Sequence, residues 1–179
     1  LVQAWGVDAD SGPMPLEKDF SATLAGSERS RVRETVLEWI RRVPGLIRGS
    51  AGPGAVSVGL KIFNALFDDE FQLELLQSVQ QATGADAADW LVYGNRLFDP
   101  EREFDGLHGI AYGGPDLSDR NLRVLSEFHD RYGTAMRPLA GTGDISSGRM
   151  ALEYALRGAS SFQLHTMFQL PSRQYALRS

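Results

Sequence analysis

The sequence predicts an α/β fold: a parallel sheet whose strands alternate with amphipathic helices. Three observations predict it. Short apolar or β-rich runs and helix-period stretches follow one another along the chain with little interruption. Glycine, proline or a capping Ser or Asp separates them. Near the C-terminus, a strand, a tight turn, a helix and a second strand fit one right-handed βαβ crossover.

Taken in order, Leu1 to Trp5 is a strand, followed by a polar loop rich in Asp, Gly and Pro. Ser27 or Ser30 opens a helix whose Val32, Val36, Leu37, Ile40 and Val43 share one face. "RGSAGPG" is a turn, and Val56 to Ile62 is a β-rich strand. Asp68 or Asp69 caps the next helix, which turns Phe71, Leu75, Val79 and Ala82 inward and stops at Gly84. Trp90 to Tyr93 is a strand. Asn95 to Asp116 reads as a loop of about twenty residues, a length that compact domains tend to keep for function. Ser118 caps a helix bearing Leu122, Leu125 and Phe128, ended by Gly133. Pro138 to Ala140 is a strand, and Ser146 or Ser147 caps a helix with Met150, Ala151, Tyr154 and Ala155 on one face. Gly158 suits the left-handed residue after its last turn, and Ser161 to His165 is the final strand.

Five strands alternating with four helices suit strands 4 to 8 of a (β/α)8 TIM barrel, which as a whole takes about 250 residues. The first residue is Leu1, not Met, so the expectation is that the N-terminal strands precede this chain, which is one part of a single barrel domain over residues 1–179. An open doubly wound sheet is the alternative, but no glycine-rich dinucleotide fingerprint follows the first strand.

Bulk properties narrow the chemistry. The chain is 42% hydrophobic and 23% charged, the composition of a soluble globular protein. It has no cysteine, which excludes disulfides, cysteine nucleophiles and thiolate metal sites and suits the cytoplasm. The three histidines are scattered without metal-ligand spacing, so no metal is expected. A net charge of −5 gives no electrostatic case for nucleic acid, and no apolar run approaches a transmembrane span.

"PLAGTGDISSGRMALEYALRGASSFQLHT" holds the most specific chemistry. Gly141 and Gly143 leave backbone N–H groups uncovered beside a helix N-terminus, and with Thr166 and a His165 donor they make an anion pocket. In eight-stranded barrels the phosphate site lies after strands 7 and 8, as here. The alternative is two ordinary βα turns that use glycine.

These residues resemble the C-terminal half of the FMN-dependent dihydroorotate dehydrogenase family, from about Val56 to Phe168. "GLKIFNALF" looks like the strand that ends in the family's flavin-contacting lysine, here Lys61. "LVYGNRLF" sits where the family has an asparagine at a strand end, here Asn95. "GGPDLSDRNLRVL" looks like "GGLSG-x-x-L", with Gly114 and Ser118 on the matching positions. The stretch from Pro138 to Thr166 resembles "P-I-I-G-x-G-G-I-x-S-G … A-G-A-S-x-V-Q-L-Y-T".

The resemblance implies FMN as cofactor, with Gly141, Gly143, Asp144, His165 and Thr166 around its phosphate and Lys61 beside the ring edge that gains negative charge on reduction. It implies that Asn95 meets a pyrimidine's imide edge. Arg96 stands where the family has threonine, and a guanidinium there suits a carboxylate or phosphate. Each has a plainer reading: Lys61 leaving a strand for solvent, Asn95 as a turn residue, Ser118 as a helix cap. The family's base lies in a segment like "N-x-S-x-P-N", whereas "LVQAWGVDADSGPM" has neither cysteine nor Ser-Pro-Asn; Ser11 is its nearest hydroxyl, and Trp5 could line the pocket.

The expected function is thus oxidation of dihydroorotate or a related dihydropyrimidine, a small-molecule substrate, in a homo-oligomer or a barrel completed by the missing N-terminal half. The alternatives are a dihydrouridine synthase-like flavin reductase, which "GTGDI" also suits, and a barrel relative that binds phosphate without catalysis.

Overall fold

The computed structural model describes residues 29–52, 54–64, 68–104, 106–112, 117–165 and 168. Its elements are α1 (Arg29–Ala51), β1 (Gly59–Asn64), α2 (Asp69–Gln81), β2 (Trp90–Phe104), β3 (Leu107–Tyr112), α3 (Ser118–Tyr132), β4 (Leu139–Thr142), α4 (Gly148–Ala155) and β5 (Ser161–Gln163). β1, β2, β4 and β5 form a parallel sheet in that order, and β3 pairs antiparallel with β2. The fold is α/β. The expected strand at Leu1 to Trp5 and the loop carrying Ser11 lie outside the described residues.

Local chemistry sets the helix boundaries. The Asp68 carboxylate accepts from the Phe71 N–H at 2.9 Å and caps α2, whose first turn adds Asp69 and Glu70. Ser147 does the same for α4, accepting from the Met150 N–H at 3.2 Å. Gly158, at φ 90°, takes the left-handed turn after it.

Three expectations need correction. Asn95 to Asp116 is not a long loop. β2 runs on to Phe104 and folds back as β3, with Phe104 opposite Leu107. The sequence between them is Asp105-Gly106, a dipeptide suited to a two-residue hairpin, and Gly106 has φ 78°. Consequently the described strands are not all parallel. Nor does α1 end before "RGSAGPG": it continues through Pro44 to Ala51. Its last turns are held from outside, because Arg48 donates to the Ala85 and Ala87 carbonyls and to Asp89. Finally, Ser118 is not the cap of α3. Leu117 holds that position, and the Ser118 hydroxyl donates instead to the Asp144 carboxylate at 3.2 Å.

One core lies between the helices and one face of the sheet. Val36, Leu37 and Ile40 of α1, Phe71, Leu75, Leu76 and Val79 of α2, Val124, Leu125 and Phe128 of α3 and Tyr154 of α4 pack there against Ile62, Leu91, Tyr93 and Leu139. Strand alternation puts Lys61, Val92, Ala140 and Ser161 in one row on the other face. That face is concave. β1 and β5 are three strand spacings apart, about 14 Å on a flat sheet, yet Lys61 Nζ donates to Gln163 Oε1 at 3.2 Å. The sheet therefore curls toward the Lys61 side and away from the helices.

The N-terminal edge of the sheet is closed by charge. Arg137, just before β4, donates to the carbonyls of Val79 (3.1 Å), Gln80 (3.3 Å), Ala88 (2.9 Å) and Ala82. It thereby serves the carbonyls that the end of α2 leaves without intrahelical partners. Asp89, just before β2, accepts from the Val58 N–H and Arg48 at 2.7 Å each and from Ser57 at 3.1 Å.

Two outcomes follow from this edge and the helices above it. Arg137→Met, which keeps the stem but removes the donors, should cost about 2–4 kcal/mol in denaturant unfolding, because several half-buried carbonyls lose their partner together. The second concerns acid. The Val58 N–H, then Arg48 and Ser57, lowers the Asp89 carboxyl against desolvation. At Asp69 burial raises the carboxyl, but hydrogen bonds and charge from Arg123 and Arg120 outweigh it and leave it lowered. A lowered folded value means stability that is present above the unfolded aspartate value of about 3.9 and is lost as pH falls through the folded one. Thermal midpoints should be level from pH 7 to about 5 and fall below about pH 4, and Asp69→Asn should shrink that fall.

Candidate functional site

In α/β sheets ligands bind beyond the carboxyl ends of the parallel strands. At that edge β4 ends in Thr142 and turns through Gly143 (φ 106°) and Asp144 (φ 52°) before Ser147 starts α4. Two consecutive residues at positive φ turn the chain sharply as it leaves the sheet. The start of α4 suits negative charge. Its first turn carries Arg149 and no acidic residue, and among the described residues a side chain at Gly148 would meet nothing within 4 Å. The Asp144 carboxylate takes the Ser118 hydroxyl at the start of α3, where the helix dipole favours it. These residues fit a phosphate-bearing group such as FMN, with backbone from the turn and the helix start as its donors.

Buried polar side chains fix this edge from the helix side. Asn121 is fully buried in α3, and its Nδ2, with two hydrogens to give, lies within hydrogen-bond distance of the Gly94 carbonyl (3.1 Å), the Thr142 carbonyl (2.9 Å) and the Tyr154 hydroxyl (2.9 Å). Tyr154 in turn donates to the Gly143 carbonyl at 2.8 Å. Among the described residues no donor reaches Asn121 Oδ1, which lies 2.3 Å from where a Gly94 side chain would start. Gln72 of α2, equally buried, donates to the Phe63 carbonyl at 3.0 Å and lies 3.5 Å from the Tyr93 hydroxyl. Burial pushes the Tyr154 phenol up to about 12, with Asp144 adding and the Asn121 hydrogen bond opposing; it also raises Tyr93. Both phenols are therefore protonated at neutral pH.

On the concave side Lys61 crosses the sheet to Gln163. His165 follows β5 in an exposed position, and its carbonyl accepts from the Phe168 N–H at 3.0 Å. Among the site residues expected from sequence, Gly143, Asp144, Ser118 and His165 stand at the C-terminal edge, and Lys61 reaches toward it. Gly141 does not lie in the turn. It pairs within β4, and the Tyr154 ring sits 2.7 Å from where its side chain would begin, so packing demands this glycine. Asn95 and Arg96 follow Gly94 in β2. Gly114 and Thr166 lie outside the described residues.

The residues that sequence reasoning missed are Asn121 and Gln72. Each had a signal. Asn121 shares the apolar stripe of Leu117, Val124, Leu125 and Phe128 at helical spacing, and Gln72 shares that of Leu75, Leu76 and Val79. A polar residue inside such a stripe must be buried and must therefore find partners.

No protein-family model and no curated protein matches the chain. Among solved structures it is similar to the crystal structure of DHODH from Eimeria tenella in complex with ferulenol, with a TM-score of 0.49 and 16% identity over 85% of this chain. The chain covers 42% of that structure's length, less than half of it. Among the described residues no helix is long and apolar enough to cross a membrane.

The turn itself is testable. A side chain at Gly143 would start 2.6 Å from Asn121 Nδ2, 2.9 Å from the Gly94 carbonyl and 3.1 Å from Leu117, at a φ that L-residues rarely adopt. Gly143→Ala should cost about 2–4 kcal/mol in denaturant unfolding. Gly148→Ala, with open space around it, should stay within about 0.5 kcal/mol.

Proposed function

We propose that this chain is the C-terminal part of an FMN-dependent dehydrogenase built on a (β/α)8 barrel, which oxidises dihydroorotate or a related dihydropyrimidine in the cytoplasm. The observation that carries the reading is the Gly143–Asp144 turn leading into an acid-free helix start. It occurs at the same edge, and on the same motifs, that resemble the dihydroorotate dehydrogenase family. The curl that brings Lys61 to Gln163 supports it further, because it turns the lysine toward the concave side of that edge.

FMN, when bound, supplies an acceptor for the substrate's hydride. The chain's own residues bind and orient. Backbone N–H groups of Gly143 and Asp144 would hold the phosphate, with His165 and Thr166 as the further donors that the resemblance implies, while the Asp144 carboxylate stays with Ser118 and would not repel the dianion. Gly114 is a further cofactor-binding position that the resemblance implies. Lys61 would supply a preorganised cation to the flavin as it gains negative charge. Asn95 offers a donor and an acceptor to the pyrimidine, and Arg96 offers a guanidinium to its carboxylate. The substrate proton needs a base from the segment before Pro15, whose "QAWGVDADSG" lacks the family's Ser-Pro-Asn. That departure favours a second reading, a barrel relative that holds FMN or phosphate without oxidising the substrate.

The test is stopped-flow bleaching of the flavin by dihydroorotate in the complete protein. Purified protein should carry flavin absorbance, and dihydroorotate should bleach it. Lys61→Ala should retain flavin but bleach roughly 10²-fold more slowly, the scale for losing one preorganised electrostatic contact. Bound flavin without bleaching selects the second reading, and a variant bleaching at the wild-type rate removes the lysine's role.

A further inference from the structure

We infer that Asn121 is a positioning residue of the candidate site: its carboxamide ties the end of β2 to the end of β4 and so holds the Gly143–Asp144 turn in place. The inference rests on reading this edge as the cofactor and substrate site, and it names the side chain that sets the edge's shape.

The argument begins where the sheet stops. The parallel ladder between β2 and β4 runs from Leu91 with Leu139 to Tyr93 with Gly141. The next residue on each strand is Gly94 and Thr142, and beyond them β2 leaves to pair with β3 and with the end of β1. The carbonyls of these two residues accept from the same nitrogen, Asn121 Nδ2, at 3.1 and 2.9 Å. The side chain thus adds one rung after the backbone ladder ends. That rung extends into the turn, because Nδ2 also reaches the Tyr154 hydroxyl, which donates to the Gly143 carbonyl.

Chemistry fixes the orientation of the amide. Its three close neighbours are two carbonyl oxygens and a hydroxyl already donating elsewhere, so the nitrogen must face them. Space fixes it too. Side chains at Gly94 or Gly143 would run into Asn121 at 2.3 and 2.6 Å, so both strand ends close around the carboxamide. An apolar residue of the same size would fill the volume, take this donor from the Gly94 carbonyl and leave the Thr142 carbonyl with only the longer contact from the Tyr154 hydroxyl at 3.3 Å. The residues after Gly94, which include Asn95 and Arg96, and the turn after Thr142 would then no longer share one frame.

The discriminating control is Arg137, which serves the opposite end of β4 and touches nothing at the C-terminal edge. Full-length Asn121→Leu, Tyr154→Phe and Arg137→Met proteins are compared with wild type by thermal melting. Amide hydrogen exchange of a peptide spanning 141–149 is then read well below all midpoints, together with FMN binding by fluorescence quenching. Asn121→Leu should speed exchange of that peptide by about ten-fold or more, as expected for unpairing buried carbonyls. It should also weaken FMN binding about ten-fold, a shift worth ~1.4 kcal/mol. Arg137→Met should lower the melting point at least as much and leave both readouts at wild-type values. If Asn121→Leu does not fold, Tyr154→Phe carries the test, with a smaller change in the same direction. Exchange that rises only in step with global stability, equally in the Arg137 variant, overturns the inference. If wild type binds no FMN, the functional reading falls, and the exchange contrast alone decides whether Asn121 positions the turn.

Discussion

Parallel strands that end inside a protein leave carbonyls facing the loops that follow, and an unmatched buried carbonyl costs about 1–3 kcal/mol. Three helices of this molecule each send one polar side chain to answer that demand. Gln72 of α2 serves Phe63 at the end of β1. Asn121 of α3 serves Gly94 and Thr142 at the ends of β2 and β4, and Tyr154 of α4 serves Gly143. Each helix is thereby keyed to the strand ends as well as packed on the sheet, since a slide or rotation along the apolar face would break these contacts. The shape of the C-terminal edge depends on them.

The opposite edge obeys different physics. Arg137 and Asp89 stand before β4 and β2 and use charge at partly exposed positions, where a guanidinium or carboxylate collects several backbone partners without full desolvation. The ties to the strand-end carbonyls at the C-terminal edge use carboxamides and a phenol, while charge there sits at the helix starts, in Asp69 with Arg120 and Arg123 and in Asp144 with Ser118. A charge buried in those ties would need a partner of its own, and the Gly143–Asp144 turn would lose the neutral backing behind it.

The helices were legible from the sequence because their apolar period and their caps, Asp68, Ser147 and Gly158, act within a few residues. Strand positions in β4 and β5 were legible for the same reason. The hairpin was missed although Asp105-Gly106 announces it, because Gly, Asp and Pro around it outweighed the short β-rich runs on either side. The extension of α1 past Pro44 was not legible locally, since Arg48 and the Ala85–Asp89 segment that holds it are far apart in sequence. The contact of Lys61 with Gln163 was hidden for a deeper reason. It depends on the curvature of a sheet across three strand intervals, which no local pattern encodes.

Glycine carried the site prediction, and the structure changes what those glycines mean. Gly141 is required by the Tyr154 ring, and Gly143 by its φ and by the approach of Gly94, Asn121 and Leu117. Both would be glycine whether or not an anion ever bound, so the "GTGD" pair is by itself a packing signal. What the helix start adds to the turn is a pair of features that packing does not demand. Gly148 opens onto free space at the first position of α4, and Arg149 follows it where the helix dipole alone would disfavour a cation. An arginine at a helix start costs a little in the unliganded protein and is compensated when an anion sits between it and the backbone donors. A residue that is locally unfavourable, rather than one that is sterically required, is therefore the better reason to test this helix start for an anion.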